Sequence, residues 1–240
     1  MRYIYLLFLI CFFGLRLSSQ TLQEEQEFVK DSIAPVADPK YREDQFYAGI
    51  TYNLLQQKPD GFAQNSFSTG LQFGFLRDMP INKARTYAIA IGLGYSYNNL
   101  KHNLKIENNT EGINYSVVSG GDFSKNKLVL HYIDLPIEFR WRNSNAISHK
   151  FWRIYTGFKI SYLFADKSSY EAAGEAPIRI RNNADLNNFV YGAYISAGYN
   201  TWNIYAYYGL NPIFKSATLN NNGGDINLNS VNLGLMFYIL

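Results

Sequence analysis

The chain is poor in the residues that most chemistry needs. It has 240 residues with one cysteine, three histidines and only 17% charged side chains. Cys11 lies inside an apolar N-terminal stretch, so the mature chain is expected to carry neither a disulfide framework nor a thiol site. His102, His131 and His149 are scattered, and no HExxH, CxxC or GxSxG pattern occurs, so the signatures of metal and acyl-transfer chemistry are missing. No catalytic residue, cofactor, metal or small-molecule substrate is expected. Gly120-Gly121-Asp122 and Gly223-Gly224-Asp225 are more simply turn chemistry than calcium loops. The formal net charge of +3 approaches neutrality once Arg2 and Arg16 are removed, which gives no support for nucleic-acid binding, and no nucleic-acid partner is expected. A mean hydropathy of -0.20 excludes a bundle of membrane helices.

What the chain does have is aromatic rings, with 20 Tyr and 17 Phe, and long alternating segments. From Thr86 to Tyr97, Tyr87, Ile89, Ile91, Leu93, Tyr95 and Tyr97 fall on one face of a strand, and Ala88, Ala90, Gly92, Gly94 and Ser96 on the other. Aliphatics between terminal aromatics match a lipid-facing strand with an aromatic girdle at each interface. Eight such segments run from 45–55, 66–77, 86–98, 128–141, 151–165, 186–200, 202–214 and 230–240. Short and long connections alternate between them, as short periplasmic turns and longer outer loops do. The expected fold is all-β, an eight-stranded antiparallel transmembrane β-barrel of outer-membrane type. Both chain ends should lie in the periplasm.

The chain divides into a signal peptide (1–19), a periplasmic acidic leader (20–44) and the barrel (45–240). Met1-Arg2, the apolar run to Phe13 and Ser18-Ser19 carry the signal. The leader has a net charge of -4, and Pro35 and Pro39 argue against a long helix in it.

Facing tyrosines and glycines should fill the lumen, since eight strands leave an interior just wide enough for side chains. Asp134, Glu138, Arg140, Arg153 and Lys159 point inward if alternation holds, and are expected to form a structural charge network that plugs the barrel. Pro136 must sit at a bulge or an unpaired position. The turns 77–85 and 140–153 make the periplasmic rim basic. Its candidate contacts are Arg77, Asp78, Lys83, Arg85, Arg142 and Lys150, which would dock a partner or meet lipid headgroups.

The stretches GFLRDMPINKAR (74–85), AIGLGYS (90–96), YIDLPIEFRWR (132–142) and FWRIYTGF (151–158) resemble the PorT family of outer-membrane β-barrels from Bacteroidota. The resemblance spans the barrel and implies a part in type IX protein secretion and gliding motility, with other secretion-system proteins and outer-membrane lipid as partners. It implies no catalytic site. The alternative is a generic barrel of this kind that binds an external ligand or acts as an adhesin.

Overall fold

A computed structural model describes residues 44–239 other than 65, 111, 144–151 and 221–223. Eleven strands follow in order: β1 (Gln45–Gln56), β2 (Thr69–Pro80), β3 (Tyr87–Lys101), β4 (Leu104–Asn109), β5 (Gly112–Val117), β6 (Lys125–Arg142), β7 (Trp152–Glu171), β8 (Ile178–Arg181), β9 (Phe189–Tyr199), β10 (Trp202–Gly209) and β11 (Asn229–Ile239). Eight of them close an antiparallel barrel in the order β1, β2, β3, β6, β7, β9, β10, β11, with β11 pairing back onto β1. Closure leaves no strand edge unpaired at membrane depth, which a lipid environment demands.

The alternation survives intact. On β3, Ile89, Ile91 and Leu93 are exposed, whereas Ala88 and Ala90 are buried. Phe73, Ile137, Phe158, Ile195, Ile204 and Leu235 continue the same outward apolar belt on the other strands. Rings gather at both of its borders. Tyr52 stacks on Phe67 at 4.8 Å and Tyr162 lies 5.1 Å from Phe189 at one end. Trp152 lies 5.4 Å from Tyr199 and Trp202 4.9 Å from Phe237 at the other. Exposed apolar area of this extent is stable only against hydrocarbon.

Pro136 costs one local interruption. Its ladder with β7 continues, but pairing between β3 and β6 jumps from Ile91–Ile137 to Gly94–Asp134, so the missing amide faces no partner. The one register shift on the β6–β7 ladder lies elsewhere, between His131 and Tyr132.

The long connections are not plain loops. Residues 99–127, read from the sequence as one long connection, contain the β4–β5 hairpin, and β8 adds to the upper end of β7. These pieces close over the barrel mouth and bury Leu104, Ile106, Tyr115, Leu128, Leu186, Phe214, Leu219 and Ile226 in one apolar cluster. A second cluster, dominated by Tyr47, Tyr155, Tyr194, Tyr205, Tyr207 and Tyr238, fills the lumen below it.

Candidate functional site

Inward-facing residues of eight strands converge in the lumen, and the small face of β3 shapes what they can do. Asp78 on β2 is opposite Ala90, which is in turn opposite Glu138 on β6. Two methyl-sized side chains, Ala88 and Ala90, therefore separate Asp78 from the arginines of β6, and the charges meet across β3. Arg142 donates from Nη1 and Nη2 to the two carboxylate oxygens of Asp78 at 2.8 Å each, a bidentate pair. Arg140 donates to Asp78 at 3.0 Å and, through Nε, to Glu138 at 2.7 Å. The Tyr194 hydroxyl donates to the other Glu138 oxygen at 2.8 Å. The Arg140 guanidinium lies 4.6 Å from the Tyr155 ring centre, and Arg153 lies 5.5 Å from that of Tyr238. Such faces stabilise a cation that has lost its water.

A second knot lies toward the capped end. Ser161 donates to Asp134 at 2.5 Å, and the Lys159 ammonium lies 3.5 Å from the other Asp134 oxygen. Lys159 also donates to Gln72 at 3.4 Å and sits over the Tyr207 ring at 4.8 Å. Asp134 and Glu138 thus have separate partners and form no carboxylate dyad. All five inward charges, Asp134, Glu138, Arg140, Arg153 and Lys159, are buried.

The rim set is divided. Asp78 and Arg142, expected on the rim, have no exposed surface and belong to the lumen network. Arg140 and Arg153, which were expected to add to the basic rim, are also buried. The cause is strand length: β2 runs on to Pro80 and β6 to Arg142, so alternation carries both residues inward. Arg77 remains outside and pairs with Asp44 at 3.3 Å, while Asp44 also accepts from the Asp78 amide at 2.7 Å. Lys83 is exposed. Arg85 offers its carbonyl to Arg142 Nε at 3.0 Å, tying the turn to the network. Lys150, the leader up to residue 43 and the signal region lie outside the described residues.

Glycines leave room for the rings. A Cβ on Gly94 would collide with the Tyr47 hydroxyl, and one on Gly157 would lie 2.6 Å from the Tyr194 ring. The void between Tyr47, Gln72, Glu138 and Tyr205 measures about 10 Å³, no more than the room one water needs. Among the described residues no three metal-ligating side chains cluster. The arrangement can hold charge in place.

The family model described as the outer membrane protein beta-barrel domain matches residues 19–215. The chain belongs to this family. The barrel is therefore an outer-membrane protein whose outer wall contacts lipid. No curated protein matches its sequence. Similar solved structures include Ail, the attachment invasion locus protein of Yersinia pestis, at 12% identity and a TM-score of 0.41, over 82% of this chain and 99% of that one. Ail in complex with the heparin analogue sucrose octasulfate matches at 11% identity and a TM-score of 0.38, over 82% and 97%. A mutant porin of Rh. blastica matches at 8% identity and a TM-score of 0.21, over 83% and 100%.

Proposed function

We propose that this barrel is a non-enzymatic, non-conducting component of type IX protein secretion that acts through partner contacts at its two ends. The filled lumen carries this reading: tyrosines and a closed charge network occupy the space a conduit would need. A barrel that cannot pass cargo must work by holding something else. The RDMPINK turn and the IDLPIEFRWR strand support the secretion assignment through their resemblance to the PorT family. With both ends of the chain in the periplasm, the turn at 81–86 faces that compartment, and exposed Arg77 and Lys83 are the side chains positioned to meet a partner there.

Deletion in the parent organism is expected to block export of type IX cargo and to abolish gliding; normal secretion would remove this role while leaving the barrel. Purified barrel in a planar bilayer is expected to show no stable conductance. Orientation is tested separately: a cysteine placed at Lys58 or Gly121 should react with an impermeant thiol reagent on whole cells, and one at Lys83 should not. Reversing Arg77 and Lys83 to Glu should lower secretion with the barrel still assembled.

A second reading, a surface barrel that binds an external ligand, is favoured by the ordered cap with its own apolar core. Intact secretion in the deletion strain, together with loss of adhesion, would select it.

A further inference from the structure

Among the described strands, positive charge on the upper part of the outer wall is confined to one sector. β1, β9, β10 and β11 contain no Lys or Arg, and β2 carries only Arg77, at its opposite end. The upper ends of β3, β6, β7 and β8 instead present Lys101, Lys125, Lys127, Lys167, Arg179 and Arg181. Register makes this costly. Lys101 is directly opposite Lys127, and Lys167 directly opposite Arg181. Like charges facing each other across a ladder repel. Among the described residues Glu171 is the one acid on the outward face of these strands, and it is taken up by Lys125 at 2.8 Å and Arg179 at 4.0 Å. No carboxylate lies within ion-pair distance of Lys101, Lys127, Lys167 or Arg181 among the described residues.

Height and surroundings say what compensates them. Lys101 follows Tyr97 by four residues on the same outward face, about 13 Å along the strand and about 10 Å above the aromatic girdle once the strand tilt is allowed for. That carries it past the hydrocarbon border, through the polar layer in which the rings sit. Beneath the cations lies a shelf of rings. The Tyr95 hydroxyl is hydrogen-bonded to His131 Nδ1 at 2.7 Å, and His131 lies 5.4 Å from Tyr97 and 6.0 Å from Phe164. A cleft of about 320 Å³ opens beside Lys101, Lys125 and Lys127, with Ser66 and Ser124 on its walls. Asn126 lines the same cleft, is 4% exposed, and has neither amide atom hydrogen-bonded. Asn126 alternates onto the buried face between Lys125 and Lys127, so the outward groups that meet an anion here are the lysines.

We propose that this sector binds the phosphorylated headgroup of an outer-leaflet glycolipid, with Lys101, Lys127, Lys167 and Arg181 on its phosphates and the Tyr95–Tyr97–His131–Phe164 shelf against the start of its acyl chains. Its placement in the outer leaflet rests on the orientation proposed above, which the thiol-labelling experiment tests by itself. The lipid is the source of the phosphate because the cations continue the lipid-facing side of the wall and stand directly over its aromatic border.

The test is native mass spectrometry of the full barrel from detergent micelles, a readout independent of cellular orientation. Probes are bisphosphorylated lipid A, the same lipid dephosphorylated, and inorganic phosphate. The phosphorylated lipid is expected to be retained at least tenfold better than the dephosphorylated one. The Lys101→Gln/Lys127→Gln/Lys167→Gln variant should lose at least fivefold of that retention, whereas Arg at the same three positions keeps it and Lys58→Gln/Lys215→Gln changes nothing. Heat-modifiable mobility verifies folding of each variant. Equal retention of the two lipids, or retention unaffected by the Gln variant, would overturn the proposal. Displacement of the lipid by millimolar inorganic phosphate would overturn it in favour of a soluble-anion site.

Discussion

The lumen and the cap are two interiors of one chain, and they are built in opposite ways. At membrane depth the interior is polar: tyrosines, three carboxylates and four cations face inward while Ile91, Leu93 and Ile137 face out. Above the membrane the interior is apolar, with Leu104, Ile106, Leu186 and Ile226 buried beneath exposed polar loops. Each region turns toward its surroundings what those surroundings solvate. Hydrocarbon leaves the inside as the one place where polar groups can satisfy each other, and water reverses the requirement. The boundary lies near Leu130 and Tyr132 on β6, where the inward face changes from ions to aliphatics within a few residues.

The comparison breaks most severely at Asp78. Asp78→Ala strands Arg140 and Arg142 with part of their charge uncompensated, and is expected to cost about 3–5 kcal/mol. In urea titrations from detergent the folded, heat-modifiable form should largely disappear. If Asp78→Ala left the midpoint unchanged, the network would be incidental to stability.

The cap should fail by the apolar route. Leu104→Ala removes a fully buried side chain and is expected to cost about 2–5 kcal/mol. The damage should remain local: limited proteolysis should open 99–127 while the membrane strands stay protected. Cleavage spreading to both regions would show that cap and lumen unfold as one unit.

Acid sharpens the distinction further. His102 is buried in the cap beside Phe62, and its Nδ1 accepts from the Leu104 amide at 3.2 Å. Burial lowers its pKa from 6.5 to about 4. The opened cap binds a proton at higher pH than the closed one, so closure is fully stable above pH 6.5 and weakens as pH falls toward 4. The loss reaches roughly 3 kcal/mol. Hydrogen exchange at 102–104 should quicken over that window, and His102→Gln should flatten the dependence.

The smallest effect belongs to a single lumen hydroxyl. Tyr194→Phe deletes the hydrogen bond to Glu138 and should cost about 1.5–3 kcal/mol, visible as a shifted urea midpoint with secretion unchanged.

Much of this was legible along the chain, and the misreadings have simple causes. Alternation alone put Glu138, Arg140 and Lys159 inside and Ile89 and Phe158 outside, because a strand's side-chain period is local. Asp78 and Arg142 carried the same signal: one further step of alternation from Leu76 and Arg140 places them inward. Strands that end at Arg77 and Trp141 leave both residues in the short connections, and so on the rim. Tyr238 was available in the same way from the last strand. The cap was harder. Leu104 and Ile106 alternate over too few residues to stand out, and their stability comes from contacts with Leu186, Phe214 and Ile226, far along the chain.

By itself the sequence determined the class of molecule: eight amphipathic strands, an apolar outside, a lumen of tyrosines, glycines and charges, and the order of short and long connections. These follow from composition and a two-residue period, which need no knowledge of neighbours. Tertiary structure decided the pairings. Asp78 and Arg142 are 64 residues apart and meet because Ala88 and Ala90 leave space between them. Lys101 faces Lys127 because closure sets that register. Charge partners, cap contacts and like-charge collisions depend on which strands lie side by side, and that is settled only when the barrel closes.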